Sequence, residues 1–198
     1  MSVSLDEVKK LKELTGVGLS DAKAALVETD GDFDKALEAM RKKGLTKAEK
    51  KGEREAREGL VDSYVHSGRI GVVVEVNCET DFVARTDAFK ALVHDVAMHI
   101  AASNPDYVTA DEISPEVRDA KVAEFTEKVK SEGKPENMAG QIVEGQIKKY
   151  FAEKCLVDQP YIKNPDQTVG DLVKEHIAKL GENIVVRQFK RIELGVSE

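Results

Sequence analysis

Two hydrophobic rhythms, and the order in which they occur, predict an α+β fold. Residues 4–44 place apolar side chains only at helical spacing. The period drops to two across residues 60–66 and 70–76, and it does so again only at residues 183–194. Strands that far apart must come together in one sheet, so residues 58–198 form one domain. The expected architecture is an N-terminal three-helix module (1–45), a basic linker helix (46–57) and an α+β core (58–198). In that core a small antiparallel sheet of about three strands packs with helices and with a helical hairpin over about 114–155.

The three N-terminal helices follow from caps and breaks. Ser4 and Glu7 have capping-box spacing, and Leu5, Val8, Leu11 and Leu14 recur on one face. Gly16, Val17 and Gly18 interrupt that helix. Ser20 or Asp21 caps the second, which buries Ala22, Ala25 and Leu26. After the turn at Asp30, Gly31 and Asp32, the third helix turns Phe33, Ala36, Leu37 and Met40 inwards, and Gly44 is expected to end it. Arg41, Lys42, Lys43, Lys47, Lys50, Lys51, Arg54 and Arg57 then make a basic stretch with almost no apolar periodicity. It reads as a solvated linker helix, or as a surface that meets an acidic partner or RNA.

In the core, residues 60–66 and 70–76 are joined by the tight turn Ser67, Gly68 and Arg69. The second strand is apolar on both faces, which marks it as central. A helix from Asp87 carries the stripe Phe89, Leu92, Val93, Val96, Ala97 and Ile100, and Asn104 with Pro105 ends it. Gly133, Lys134 and Pro135 break two charged helices into a hairpin, with Val117, Phe125 and Val129 set against Ile142, Ile147 and Phe151. A loop with Pro160 and Pro165 leads to a last helix that buries Val169, Leu172, Val173 and Ile177 and stops at Gly181.

The stretch around which the chain is organised is 75–85. A β-branched run stops at Asn77, the polar residues Cys78, Glu79, Thr80 and Asp81 turn the chain, and Phe82 and Val83 precede the helix at Asp87. Phe82 is either folded under the turn as a core plug or held out for a partner. The usual burial of phenylalanine favours the plug.

Composition narrows the function. Hydrophobic residues are 41% of the 198, aromatics 5%, and tryptophan is absent, so Ala, Val, Leu and Ile build the core. A net charge of −7 disfavours a general nucleic-acid binder. Asp6, Glu7, Lys9 and Lys10 leave no apolar leader at the start, and no run approaches the ~20 residues of a membrane helix. Cys78 and Cys155 make no CxxC and read as free thiols in a reducing cytoplasm. No phosphate-binding glycine motif, HExxH or GxSxG occurs. His94 and His99, five apart, do not share a helix face as metal ligands. Cys78 with His66 is a poor nucleophile pair beside the simpler reading of Cys78 as a small core residue. No metal or cofactor is expected, and a binding protein is favoured over an enzyme.

The run from Val8 through Gly16, Val17, Gly18, Leu19, Ser20, Asp21, Ala22 and Lys23, and the run Asn77, Cys78, Glu79, Thr80, Asp81, Phe82, Val83 and Ala84, resemble the two signatures of bacterial translation elongation factor Ts. Further matches at Ala97 to Ala102, Gly133 to Pro135, Gln159 with Pro160, Thr168 to Gly170, and Gly181 to Arg187 keep the same order. The resemblance implies a guanine-nucleotide exchange factor of elongation factor Tu, with a ubiquitin-associated fold at the N-terminus. It implies that Thr80, Asp81, Phe82 and Val83 enter the partner near its magnesium site, and that the chain itself binds no nucleotide. Val17, Leu19 and Lys23 are candidates for gripping the GTPase, although Val17 and Leu19 could instead cap the small core. Longer family members carry two related halves in the core, and this chain has room for one. It resembles the short form, in which a homodimer supplies the second half. An adaptor of the same fold, or an RNA-binding protein using residues 41–57, are the alternatives.

Overall fold

The computed structural model describes residues 3–15, 17–133 and 136–196; Gly16, Lys134 and Pro135 of the expected breaks lie outside them. The elements run α1 (Leu5–Thr15), α2 (Leu19–Glu28), α3 (Phe33–Glu49), β1 (Glu58–His66), β2 (Ile70–Cys78), α4 (Asp81–Ala84), α5 (Asp87–Ser103), α6 (Pro115–Ser131), α7 (Glu136–Lys154), β3 (Pro160–Tyr161), β4 (Asn164–Thr168), α8 (Val169–Leu180) and β5 (Ile184–Glu193). The fold is α+β, as the two rhythms predict.

The first three helices share a small core of Val8 and Leu11 with Ala22, Ala25, Leu26, Ala36 and Met40. Ser4 donates its N–H to the Glu7 carboxylate (3.3 Å), and its hydroxyl accepts from Asp6 (3.2 Å), which closes the N-terminus of α1. Leu5 and Leu14, expected in the same stripe, are exposed. The partners across from α1 are mostly alanines, and so small a core takes only its two central residues. α2 starts earlier than Ser20 or Asp21 would set it: Gly18 is the N-cap, in extended conformation and with no side-chain acceptor. Asp32 caps α3 by accepting the Lys35 N–H at 3.1 Å.

Gly44 does not end α3. A Cβ at Gly44 would lie 3.3 Å from the Ala178 Cβ. The missing side chain therefore serves close packing of α3 on α8, a different use of glycine from a helix stop. Arg41 pairs with Glu175 of α8 at 3.3 Å, and Ala48 enters the main core. The basic stretch is accordingly not a helix of its own. Its first part prolongs α3, and the chain then turns through residues 50–54.

The sheet is antiparallel in the order β1-β2-β5, with β2 central. Val72, Val74, Val76 and Cys78 point inwards and meet Phe89, Leu92, Val93, Val96, Ala97 and Ile100 of α5 and Val169, Leu172, Val173 and Ile177 of α8. Asn104 (φ 46°) terminates α5 and Gly181 (φ 83°) terminates α8. The expected loop near Pro160 and Pro165 contains a two-stranded ribbon, β3-β4, which seats Tyr161 in the core with its hydroxyl donating to Asp95 at 2.8 Å. α6 and α7 form the hairpin with a separate core that includes Val129, Val143, Ile147 and Phe151. Val117 is 40% exposed; Ile113, just before α6, fills that end of the core instead.

Candidate functional site

The residues 75–85 leave the sheet as β2 ends. Cys78 is fully buried, and its thiol donates to the Thr80 carbonyl at 3.1 Å. Thr80 then caps a single helical turn, α4, its hydroxyl accepting the Val83 N–H at 3.5 Å. At the other end the Thr86 hydroxyl donates to the Val83 carbonyl (2.8 Å) and accepts the Phe89 N–H (3.2 Å), so one residue closes α4 and opens α5. The inner side of α4 is Ala84, buried, with Val83 packed on the main core.

That packing decides where Phe82 goes. Neighbouring side chains on a helix are about 100° apart, so a turn that buries Val83 and Ala84 points Phe82 outwards. Phe82 is 79% exposed. The plug that the usual burial of phenylalanine favours is therefore overturned: Cys78, Ala84 and Phe89 belong to the main core, and Phe82 does not. Asp81 lies beside Phe82 and pairs with Arg85 one turn on, at 2.9 Å.

The turn is held from behind by a residue that local sequence reading did not single out. The N–H groups of Glu79 and Thr80 donate to one oxygen of the Glu182 carboxylate (3.1 and 2.9 Å), and the Thr80 hydroxyl donates to the other (2.6 Å). The Glu79 carboxylate in turn accepts the Asn183 N–H at 2.6 Å and meets Arg54 at 3.5 Å. Asn183 donates its side-chain amide to the carbonyls of Gly52 (3.3 Å) and Arg54 (2.7 Å), and Lys51 donates to the Gly181 carbonyl at 2.6 Å. Glu182 is more than a hundred positions from the groups it holds. Nothing in its neighbourhood advertises that role beyond its place between Gly181 and Asn183.

The other candidates are distributed. Val17 is half-buried against the N-terminal core, whereas Leu19 is 47% exposed and Lys23 is exposed, both on α2. The core beneath them shares no residue with the cluster under α4. Cys78 and His66 sit at opposite ends of the β1-β2 hairpin, Cys78 opposite Glu58 and His66 opposite Ile70. Burial, and then the charge of Glu182, push the Cys78 thiol up to about 11, which removes it as a nucleophile. His94 meets Asp62 at 3.2 Å on the surface. His99, expected at the edge of the core, is fully buried, with Nε2 against Gln159 (2.9 Å) and Nδ1 accepting the Ile162 N–H (3.3 Å). Among the described residues no group of three or more His, Cys, Asp or Glu side chains is arranged to hold a metal ion, and no helix is long and apolar enough to cross a membrane. In the basic stretch, Arg41, Lys42, Arg54 and Arg57 are each paired with a glutamate of the chain itself.

The family model described as Elongation factor TS matches residues 19–196. Elongation factor Ts of Alkaliphilus metalliredigens is 52% identical over 195 residues, covering 98% of this chain and 91% of its own. That of Thermoanaerobacter pseudethanolicus is 52% identical over 194 residues (98% and 95%), and that of Geobacter sulfurreducens 50% identical over 196 (98% and 91%).

Proposed function

The chain belongs to the elongation factor Ts family and serves translation elongation, and from that premise we propose that it is a guanine-nucleotide exchange factor for elongation factor Tu. The observation that carries the proposal is Phe82, a phenyl ring 79% exposed on a helical turn that is otherwise pinned to the core. Full burial of such a side chain stabilises by about 1.5–3 kcal/mol. The free protein forgoes most of that, and a pocket on a partner supplies it.

The chain performs no covalent chemistry in this reading. The partner holds GDP through phosphate-loop amides and a bridging Mg²⁺. Phe82, steered by Asp81 and backed by Thr80 and Val83, wedges against the elements that support the metal, so both contacts weaken together. By linkage, a factor that binds the empty GTPase more tightly than the GDP form has its own affinity lowered by GDP in the same ratio. Residues 1–45 act as a ubiquitin-associated-like grip, with Leu19 and Lys23 as contacts and Val17 as support. Residues 58–198 form the exchange core. A homodimer pairs through the outer face of the sheet, which carries the exposed side chains Val61, Val65, Val73 and Ile192. On that face the exposed apolar side chains are interspersed with Ser63, Glu75, Gln188 and Lys190.

The test is release of fluorescent GDP from purified elongation factor Tu, with this protein and with Phe82→Ala. Strong acceleration that the variant loses while still binding supports exchange. Binding without acceleration by the wild-type protein means an adaptor, and overturns the proposal.

A further inference from the structure

We propose that Glu182 is the positioning residue of the wedge: its carboxylate fixes the angle at which α4 presents Phe82. This rests on the exchange reading of Phe82 for its functional consequence, although its structural part stands alone.

A helix of four residues cannot hold its own direction. One turn fixes several backbone torsions for very few hydrogen bonds, so an isolated turn of this kind is unstable. The bonds inside it are correspondingly long, Ala84 N–H to the Thr80 carbonyl at 3.3 Å and Arg85 N–H to the Asp81 carbonyl at 3.2 Å. The attachments decide its orientation. On the core side Val83 and Ala84 supply packing, and at the C-terminal end Thr86 ties the turn to α5. At the N-terminal end three donors from two successive residues converge on one carboxylate. Hydrogen bonds to an ionised acceptor are shorter and about twice as strong as neutral ones. The Thr80 hydroxyl gives its proton to Glu182 at 2.6 Å, so its lone pair is left aimed at the Val83 N–H. The carboxylate thereby sets the cap as well as the chain direction.

Glu182 is itself immobilised. It follows Gly181, the left-handed residue that ends α8, and α8 is anchored in the core by Val169, Leu172, Val173 and Ile177. Lys51 holds the Gly181 carbonyl, and Asn183 is tied to Glu79, Gly52 and Arg54. The carboxylate is a fixed point in the core frame from which the exposed wedge is hung.

The experiment uses the full chain with Glu182→Gln, which keeps the shape but removes the charge that strengthens all three bonds, and reverses the hydrogen bond with the Thr80 hydroxyl or sets the new donor against the two N–H groups. At saturating factor the GDP-release rate should fall by roughly tenfold to a hundredfold, the loss typical of a small misplacement at a working site. Affinity for the nucleotide-free GTPase should change far less. A double variant with Phe82→Ala should be no slower than Phe82→Ala alone, because both changes act through the same ring. Amide exchange in residues 81–85 of the protein by itself should speed up. Thr80→Val, which deletes only the hydroxyl, should give a smaller loss in the same direction and decides the matter if Glu182→Gln does not fold. Wild-type release rates in Glu182→Gln, or losses that multiply in the double variant, overturn the proposal. Unchanged amide exchange in residues 81–85 overturns it whatever the release assay reads. Failure of the wild-type protein to accelerate release overturns the exchange reading alone.

Discussion

Truncating Phe82 to alanine distinguishes a ring that stabilises the fold from one held for a partner, and the structure sets the size of the difference. The residue is 79% exposed, so about a fifth of it is buried. A fifth of the ~1.5–3 kcal/mol for full burial is about 0.3–0.6 kcal/mol. The better helix propensity of alanine offsets part of that. Phe89, fully buried seven residues on, is the internal control. Its truncation removes the ring and leaves a cavity, at a cost of about 3–5 kcal/mol. For a chain of this length 1 kcal/mol moves the melting temperature by ~2–4 °C, so Phe82→Ala should melt within about 2 °C of wild type and Phe89→Ala at least ~6 °C lower. Urea titrations with a common slope give the same comparison as free energies. The GDP-release assay on the same preparations should rank Phe82→Ala as the defective exchanger despite its intact stability. A stability loss above ~2 kcal/mol in Phe82→Ala would place the ring in the core and refute the reasoning, because a residue so exposed has no such energy to lose.

Four further outcomes follow from named contacts. Burial holds the His99 imidazole below its ordinary range, so the unfolded chain binds a proton that the native one refuses. Stability is full above about pH 6.5 and falls as pH drops below it, with a limiting slope of about 1.4 kcal/mol per pH unit; urea midpoints across pH 5–8 check this, and His99→Gln should flatten the slope. With both thiols pushed up to about 11, only about one molecule in a thousand carries a thiolate at pH 8, so Cys78 and Cys155 should resist a thiol reagent until urea is added. Gly44→Leu should lower the urea midpoint by the equivalent of about 1–3 kcal/mol, since even a Cβ there sits 3.3 Å from Ala178; Gly44→Ala should come close to neutral, helix propensity offsetting the contact. In sedimentation the wild-type chain should run as a dimer at micromolar concentration, and Val65→Lys with Ile192→Lys as a monomer; a wild-type monomer refutes pairing through the sheet.

The sequence by itself determined the longer helices and the three strands of the main sheet, because those depend on local periodicity and punctuation; the short β3-β4 ribbon, the single turn α4 and the extension of α3 into the basic stretch did not show in it. The two-sided apolar pattern of residues 70–76 marked β2 as central, and the stripe from Phe89 to Ile100 marked the inner face of α5, and both occupy those places. Asp32 and Gly181 punctuate as their residue types require. The readings that failed are those in which one residue type serves two physical ends. Gly44 could stop a helix or admit a neighbouring one, and only the arrival of α8 beside it settled which. Leu5 and Leu14 have the spacing of a core face, but the size of the core is fixed by what α2 and α3 bring to it. Phe82 is the sharpest instance: burial statistics favoured the core, and only the family resemblance held the ring out for a partner. Its burial depended on which side of a four-residue turn met the core, and that turn takes its direction from Val83, Ala84 and a carboxylate more than a hundred residues away. Local order is written in neighbouring residues. The pose of an exposed ring is a balance of long-range contacts, and those exist only once the chain has folded.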